Sequence, residues 1–265
     1  MKAAWLTDIH LNFIRSTQLE AFCIRVVESK PDVVLISGDI GEAPDLHTHL
    51  LKLEHLIDKP IYFVLGNHDF YHGSIQQVRS NISAFCASSK QLHWLPDAGL
   101  VALTENCALI GHDGWADGRF GDWDASPILL NDFILIKEFS GLPRRERLKM
   151  VQSLTDTAVR HFETLLPIAL ETCTHIFVVT HVPPFKEACL YNGAISNDDW
   201  LPHFSSKAVG DVLLSHMSKH PGKQMTVLCG HTHGGGHVRI AHNLEVYVGA
   251  AEYKSPAVQK VFDIF

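Results

Sequence analysis

Asp32-Val33-Val34-Leu35-Ile36-Ser37-Gly38-Asp39-Ile40 is the stretch that settles the class of fold. Its apolar run is short and unbroken, the pattern of a strand buried on both faces in a sheet covered by helices. The run ends abruptly in a glycine and a carboxylate. The same pattern recurs on either side. Upstream, Lys2 to Ile9 reads as a strand that ends in Asp8 and His10. Leu19, Phe22, Cys23, Val26 and Val27 follow at helical spacing, and Pro31 stops that helix. Downstream, Leu46, Leu50, Leu53, Leu56 and Ile57 mark a second helix, and Pro60 leads into the apolar run Ile61 to Leu65. That run ends in Gly66-Asn67-His68-Asp69, and Ile75, Val78, Ile82 and Phe85 mark a third helix. Strands alternating with helices predict parallel pairing through crossover connections, an α/β fold.

The rhythm then changes. Residues 91–111 read as several short strands without a clear helix between them, and residues 112–127 as a loop rich in Gly, Asp and Trp. A long helix is predicted from Arg144 to about Leu166, with Leu148, Val151, Ala158, Phe162 and Leu165 on one face. Ile176 to Thr180 is a strand ending at His181; a helix lies near 205–217; and Met225 to Cys229 is a strand ending in Gly230-His231-Thr232-His233. The tail, roughly 237–264, reads as two or three antiparallel strands. With no internal repeat, low-complexity tract or linker, the simplest account is one domain over residues 1–265, two packed sheets flanked by helices.

Composition narrows the class. The chain has 265 residues, 46% hydrophobic and 19% charged, with a formal net charge of -7. No basic stripe offers the electrostatic footprint of a nucleic-acid binder, which counts against such a partner, although bound cations would invert the charge of a site locally. No apolar run reaches the length of a membrane span. Six cysteines without a C-x-x-C pair read as buried thiols in a reducing compartment. The expectation is a soluble cytoplasmic protein of open oligomeric state.

Five polar clusters each follow a short apolar strand. In open α/β sheets ligands bind outside the carboxyl ends of strands, so these clusters should converge although they span residues 8 to 233. Together Asp8, His10, Asp39, Asn67, His181, His231 and His233 offer carboxylate, imidazole and amide-carbonyl donors, a set suited to Mn, Fe or Zn. Seven ligands exceed the needs of one catalytic ion; they fit two if one carboxylate bridges. Two ions roughly 3.5–4 Å apart can stabilise the entering and leaving oxygens of an in-line phosphoryl displacement. Taken singly, each cluster has a bland reading: Gly38-Asp39 as a turn, His181 as a structural histidine, Asp8-x-His10 as solvated polar residues. It is the full set in order, each at a strand end, that carries the argument.

That order, Asp8-x-His10, Gly38-Asp39, Gly66-Asn67-His68-Asp69, His181 and Gly230-His231-Thr232-His233, resembles the calcineurin-like metallophosphoesterases from about residue 2 to 250. The resemblance implies a four-layer α-β-β-α sandwich of two mixed sheets. It implies two divalent or trivalent metal ions (Mn, Fe or Zn). One would be held by Asp8, His10, Asp39 and His233, the other by Asp39, Asn67, His181 and His231. A water or hydroxide bridging the metals would attack a phosphate ester as a phosphatase or phosphodiesterase does. His68 would contact the phosphate and assist the leaving oxygen, with Asp69 hydrogen-bonded to it to fix its tautomer.

Residues 112–147 are the candidate for a substrate-shaping insertion. Within it Arg119 could grip a phosphate or carboxylate bidentately, and the tryptophans Trp115 and Trp123 could wall a pocket, against the plainer reading of a surface loop with Trp115 tucked into the core. Arg144, Arg145 and Arg147 read as a solvated helix face. The alternatives are a nuclease of the same family and a non-catalytic metal-binding scaffold, as in the retromer subunit that resembles these enzymes; the intact ligand set and His68 argue against the latter.

Overall fold

A computed structural model describes all of residues 1–265, and its first half follows the alternation of apolar runs. Four strands pair in parallel in chain order: β1 (Lys2–Leu6), β2 (Val33–Ser37), β3 (Ile61–Val64) and β4 (Leu92–Trp94). The chain then enters a second sheet through β5 (Val101–Ala102), β6 (Cys107–Gly111) and β7 (His175–Val179). It forms a small hairpin of β8 (Leu190–Tyr191) and β9 (Ala194–Ile195), and returns with β10 (Gln224–Cys229), β11 (Gly234–Ala241) and β12 (Leu244–Ala250). The last strand, β13 (Lys260–Asp263), crosses back to pair antiparallel with β1. The sheet orders are β13-β1-β2-β3-β4 and β11-β12-β10-β7-β6-β5, both mixed.

Strand periodicity sorts the core into layers. Alternate residues of a strand face opposite ways, so in β2 Val33 and Leu35 point one way while Val34 and Ile36 point the other. Val33 and Leu35 join Trp5, Leu109, Phe177 and Leu228 in a cluster between the two sheets. Val34 and Ile36 pack under the helices Ser16–Glu28, Leu46–Ile57 and Ile75–Cys86. In β7, Phe177 and Val179 face the other sheet, while Ile176 and Val178 lie under the helices Arg144–Thr172 and Lys207–Lys219. Helices, sheet, sheet and helices make the expected four layers. Burial on both faces is why these strands carry no polar alternation.

Three local expectations need revision. The first strand stops at Leu6 rather than Ile9, because Asp8 and His10 adopt left-handed backbone angles (φ 47° and 40°) that no strand accommodates. Residues 95–98 form one helical turn between β4 and β5. The long helix runs through Pro167 to Thr172. An interior proline costs about 3 kcal/mol, but Ala169 and Leu170 beyond it are buried against β7 and β10, and that burial holds the last turn.

The segment 112–147 lies over the first sheet's helical side. Trp115 and Trp123 are buried in its hydrophobic cluster with Phe133 and Phe139, so they fill core rather than wall a pocket. Arg144, expected in a solvated face, donates to the carbonyls of Asp124 and Ser126 and ties the segment to the long helix. All six cysteines are unpaired thiols, and no helix is long and apolar enough to cross a membrane.

Candidate metal centre

The carboxyl ends of β1, β2, β3, β7 and β10 open on one rim, and the chain turns sharply at each. Asp8, His10, Asp39, His231 and His233 all have positive φ, between 40° and 71°. Such angles are uncommon for residues with a Cβ. Five of them in one cluster mark backbone held in strained conformations at a functional site.

The glycines beside these residues serve two ends. Gly38 itself has φ +94° and makes the turn into Asp39. Gly66 and Gly230 instead leave room: a Cβ on Gly66 would lie 2.1 Å from Asp39 Oδ1, and one on Gly230 1.9 Å from Asp8 Oδ2.

Two groups of donors result, and they meet at Asp39. In the first, the ligand atoms of Asp8, His10, Asp39 and His233 all lie within 4.8 Å of one another. His233 Nε2 is 3.3 Å from Asp8 Oδ1 and 3.3 Å from His10 Nε2. In the second, His181 Nε2 is 3.4 Å from Asp39 Oδ1, and Asn67 Oδ1 is 3.0 Å from both His181 Nε2 and His231 Nδ1. Bonds of about 2.1 Å to one cation put neighbouring donors roughly 3–4 Å apart, the spacing seen in both groups.

The second group also reveals its protonation. His181 Nδ1 faces the carbonyl of Ser37 at 2.8 Å, and His231 Nε2 faces that of His203 at 2.9 Å. A carbonyl only accepts, so each of those nitrogens carries the ring proton, leaving a lone pair on His181 Nε2 and on His231 Nδ1. Asn67 donates its Nδ2 to Asp132 Oδ1 at 2.8 Å and to the Tyr71 hydroxyl at 3.2 Å, which turns its Oδ1 inward. Burial holds both imidazoles neutral, His231 down at about 4. Three buried lone pairs therefore converge with no hydrogen between them. That arrangement is repulsive by itself and fits a cation.

Carboxylate electrostatics agree. Burial pushes the Asp39 carboxyl well above its usual range, and Asp8 and Asp69 push it further. Burial also acts to raise Asp8, but the hydrogen bond to His233 and the fields of His181, His233 and His10 outweigh it and hold that carboxyl low. Buried anions this close need compensating positive charge.

His68 stands at the mouth. Its ring packs on Tyr71 (centroids 4.2 Å apart) and His10 (4.6 Å), and its Nε2 is 4.0 Å from Asp39 Oδ2. Asp69 was expected to hydrogen-bond it and does not. Its carboxylate is wholly buried and accepts the backbone N–H groups of Ile40, Gly41 and Gly66 at 2.8–2.9 Å. Three otherwise orphaned donors of the β2 and β3 turns claim it, so it braces the loops that carry Asp39 and Asn67. Arg119 is also corrected: its guanidinium pairs with Asp117 at 2.9 Å and Asp156 at 3.1 Å, and it lines no part of the cleft.

Sequence reasoning missed Asp132, Tyr71, His203 and Tyr253. Asp132 belongs to a one-turn helix of the 112–147 segment and accepts the Tyr71 hydroxyl at 2.7 Å as well as the Asn67 amide. Tyr253 packs against His10 and His233 with ring centroids 4.7 and 5.4 Å away. Replacing Asp132 with alanine should free the Asn67 amide to rotate. The expected result is a 10–100-fold loss of metal affinity, the usual cost of an outer-shell partner. Calorimetric titration of metal-stripped protein with Mn(II) measures this, and wild-type affinity would refute the orienting role.

The fold and the rim can be set against known proteins. Residues 1–235 match the profile of the family described as calcineurin-like phosphoesterase. A search of curated protein sequences finds no match. Among solved structures, a phosphopantetheinyl hydrolase from Mycobacterium tuberculosis superposes with a TM-score of 0.68 at 12% identity, over 95% of this chain and 89% of that one. A dimetal phosphatase from Danio rerio does so with a TM-score of 0.60 at 13% identity, over 94% of this chain and 87% of that one. At such identities the likeness concerns the fold. The family profile goes further, for it runs through every strand end that bears a candidate ligand, from Asp8 to His233, and the chain belongs to the calcineurin-like phosphoesterase family.

Proposed function

We propose that the protein hydrolyses phosphate esters at a dinuclear metal centre, with Asp8, His10, Asp39 and His233 holding one ion and Asp39, Asn67, His181 and His231 the other. The observation that carries this reading is the convergence of two groups of candidate ligands joined by a single carboxylate, the second of them with its lone pairs turned inward. Two bound cations would neutralise charge on the phosphoryl oxygens and lower the pKa of water toward neutrality.

The chain's own groups have separate tasks. Ser37, His203 and Asp132 fix the tautomers and the amide orientation of the ligands through the 2.8–2.9 Å hydrogen bonds they accept. His68, half-buried beside Asp39, is held neutral by burial and by the neighbouring histidines. A neutral imidazole can donate one N–H to the phosphate or to the leaving oxygen. With Asp69 turned inward, no carboxylate stands behind that ring, so His68 acts as a hydrogen-bond donor rather than as one half of a charge pair.

The test is a substrate panel on metal-stripped and Mn(II)-reconstituted protein: p-nitrophenyl phosphate, bis-p-nitrophenyl phosphate and single-stranded DNA. Monoester or diester hydrolysis that a chelator abolishes and Mn(II) restores is the expected result. Cleavage of DNA alone would point to a nuclease. A chain carrying two ions and cleaving nothing would point to a scaffold and overturn the proposal.

A further inference from the structure

The cleft over His68, His231 and His233 is about 250 Å³, and two of its walls, Tyr191 and Phe204, are shared with a second hollow of about 380 Å³. The second hollow lies between the β8–β9 hairpin and the short helix Leu201–Phe204, with Ile195, Ser196, Asn197 and Trp200 completing it. Its volume is in the ~300–1,000 Å³ range of small-molecule sites. Its surface is aromatic. Trp200 stacks on Phe204 (centroids 5.0 Å, planes 29° apart), and Phe204 meets the His231 ring edge-on at 5.3 Å. A continuous apolar floor thus runs from the candidate metal ligands out to Trp200.

Two features define what would fill it. Tyr191, Ile195 and Trp200 are large apolar side chains left 56%, 50% and 37% exposed on adjoining elements. A patch of this kind beside a polar cleft is the mark of a surface that buries a partner. The second feature is charge: no lysine or arginine lines either the cleft or the hollow. A second phosphate, or the backbone of a nucleic acid, would meet Asp39, Asp132 and aromatic rings instead of the guanidinium forks and ammonium groups that bind such anions.

We infer that the hollow is the leaving-group subsite, and that the substrate is an ester of a single phosphoryl group with an apolar alcohol whose carbon skeleton lies against Trp200, Ile195 and Phe204. This rests on the phosphoesterase reading above. In the reaction water adds its oxygen to phosphorus, the P–O bond to the alcohol breaks, and the alcohol leaves from the hollow with a proton on its oxygen.

The experiment uses ethyl, butyl and hexyl phosphate with the Mn(II)-loaded full chain. All three have primary alkoxide leaving groups of matched reactivity, so chain length reports contact alone. The rate constant kcat/KM should rise roughly fourfold per added methylene, the factor expected for moving each from water to an apolar surface. Trp200→Ala and Ile195→Asn should flatten that dependence, lowering kcat/KM far more for hexyl phosphate than for ethyl phosphate. Neither residue touches the cleft. Calorimetric binding of ethylphosphonate and hexylphosphonate, whose P–C bond is not hydrolysed, provides a second readout. Equal kcat/KM along the series with equal phosphonate affinities would overturn the subsite and leave the phosphoesterase reading intact, as would a chain-length dependence unmoved by both substitutions. Tighter binding of hexylphosphonate, abolished by Trp200→Ala, with no ester hydrolysed, would keep the subsite and overturn the phosphoesterase reading.

Discussion

Asp39→Asn is expected to weaken both halves of the candidate centre in one step. Asp39 is the only side chain common to the two donor groups, with Oδ1 3.4 Å from His181 Nε2 and Oδ2 3.8 Å from His10 Nε2. Asparagine keeps the shape, and its carbonyl oxygen can still accept the His68 backbone N–H that Asp39 Oδ1 accepts at 2.9 Å. What disappears is a negative charge. In the metal-free chain that charge is unwelcome, because burial and the neighbouring Asp8 and Asp69 all raise this carboxyl. The variant should therefore be at least as resistant to thermal unfolding as wild type when both are held in chelator, since a buried charge without a partner is destabilising. With metal present the order should reverse. Metal analysis should find less than one ion per chain, and turnover should fall by more than the roughly 10–100-fold typical of losing an outer-shell partner. A variant that retains two ions and full turnover would rule out the bridge.

The same residue shows what a sequence conveys and what it withholds. Val33 to Ile36 announce a strand buried on both faces, because an unbroken apolar run of that length has few other homes, and Gly38-Asp39 announces its end. The four layers follow once the alternating strands and helices are assigned. The left-handed backbone of Asp8, His10, Asp39, His231 and His233 is invisible in residue type, since none of them is glycine. Only convergence of several strand ends in space holds those angles. The misplaced end of β1 and the unexpected persistence of the long helix past Pro167 have one physical origin: tertiary contacts overrode a local preference, against the strand in the first case and for the helix in the second.

Candidate ligands were legible because metal chemistry restricts residue type. Their supports were not, because almost any acceptor can orient an imidazole. A backbone carbonyl does so for His181 and another for His231, and a carbonyl leaves no trace in side-chain identity. Asp132 is an unremarkable residue in a one-turn helix, 65 positions from the amide it turns. The Asp69 expectation failed for a related reason. The family resemblance implied a partner for His68, but the N–H groups of Ile40, Gly41 and Gly66, which have no other acceptor, lie closer to that carboxylate in space. Buried backbone donors must be satisfied, and a carboxylate buried among them is already engaged. Burial raises this carboxyl to about 7 against those same hydrogen bonds, which fits a brace inside the turns better than a charge exposed to substrate.

His68→Ala separates the chemistry from the metals. The ring makes no hydrogen bond that holds a candidate ligand: its Nδ1 is buried without a partner, and its backbone N–H, which Asp39 accepts, survives the substitution. Truncation leaves a gap beside Tyr71, His10 and Tyr253 at the edge of the cleft rather than in the core. Metal content should stay near two ions per chain. Turnover should fall about 10²–10⁴-fold, the usual contribution of a positioned proton donor. The loss should depend on the ester, being larger for an alkyl phosphate, whose alkoxide must be protonated as it departs, than for p-nitrophenyl phosphate, whose phenolate leaves unaided. His68→Asn, which restores an N–H near the same place, should recover part of the alkyl-ester activity if hydrogen-bond donation is the role. Equal losses on both esters would confine His68 to binding the phosphate. Loss of metal along with activity would instead assign the ring to the centre itself and remove it from the reaction.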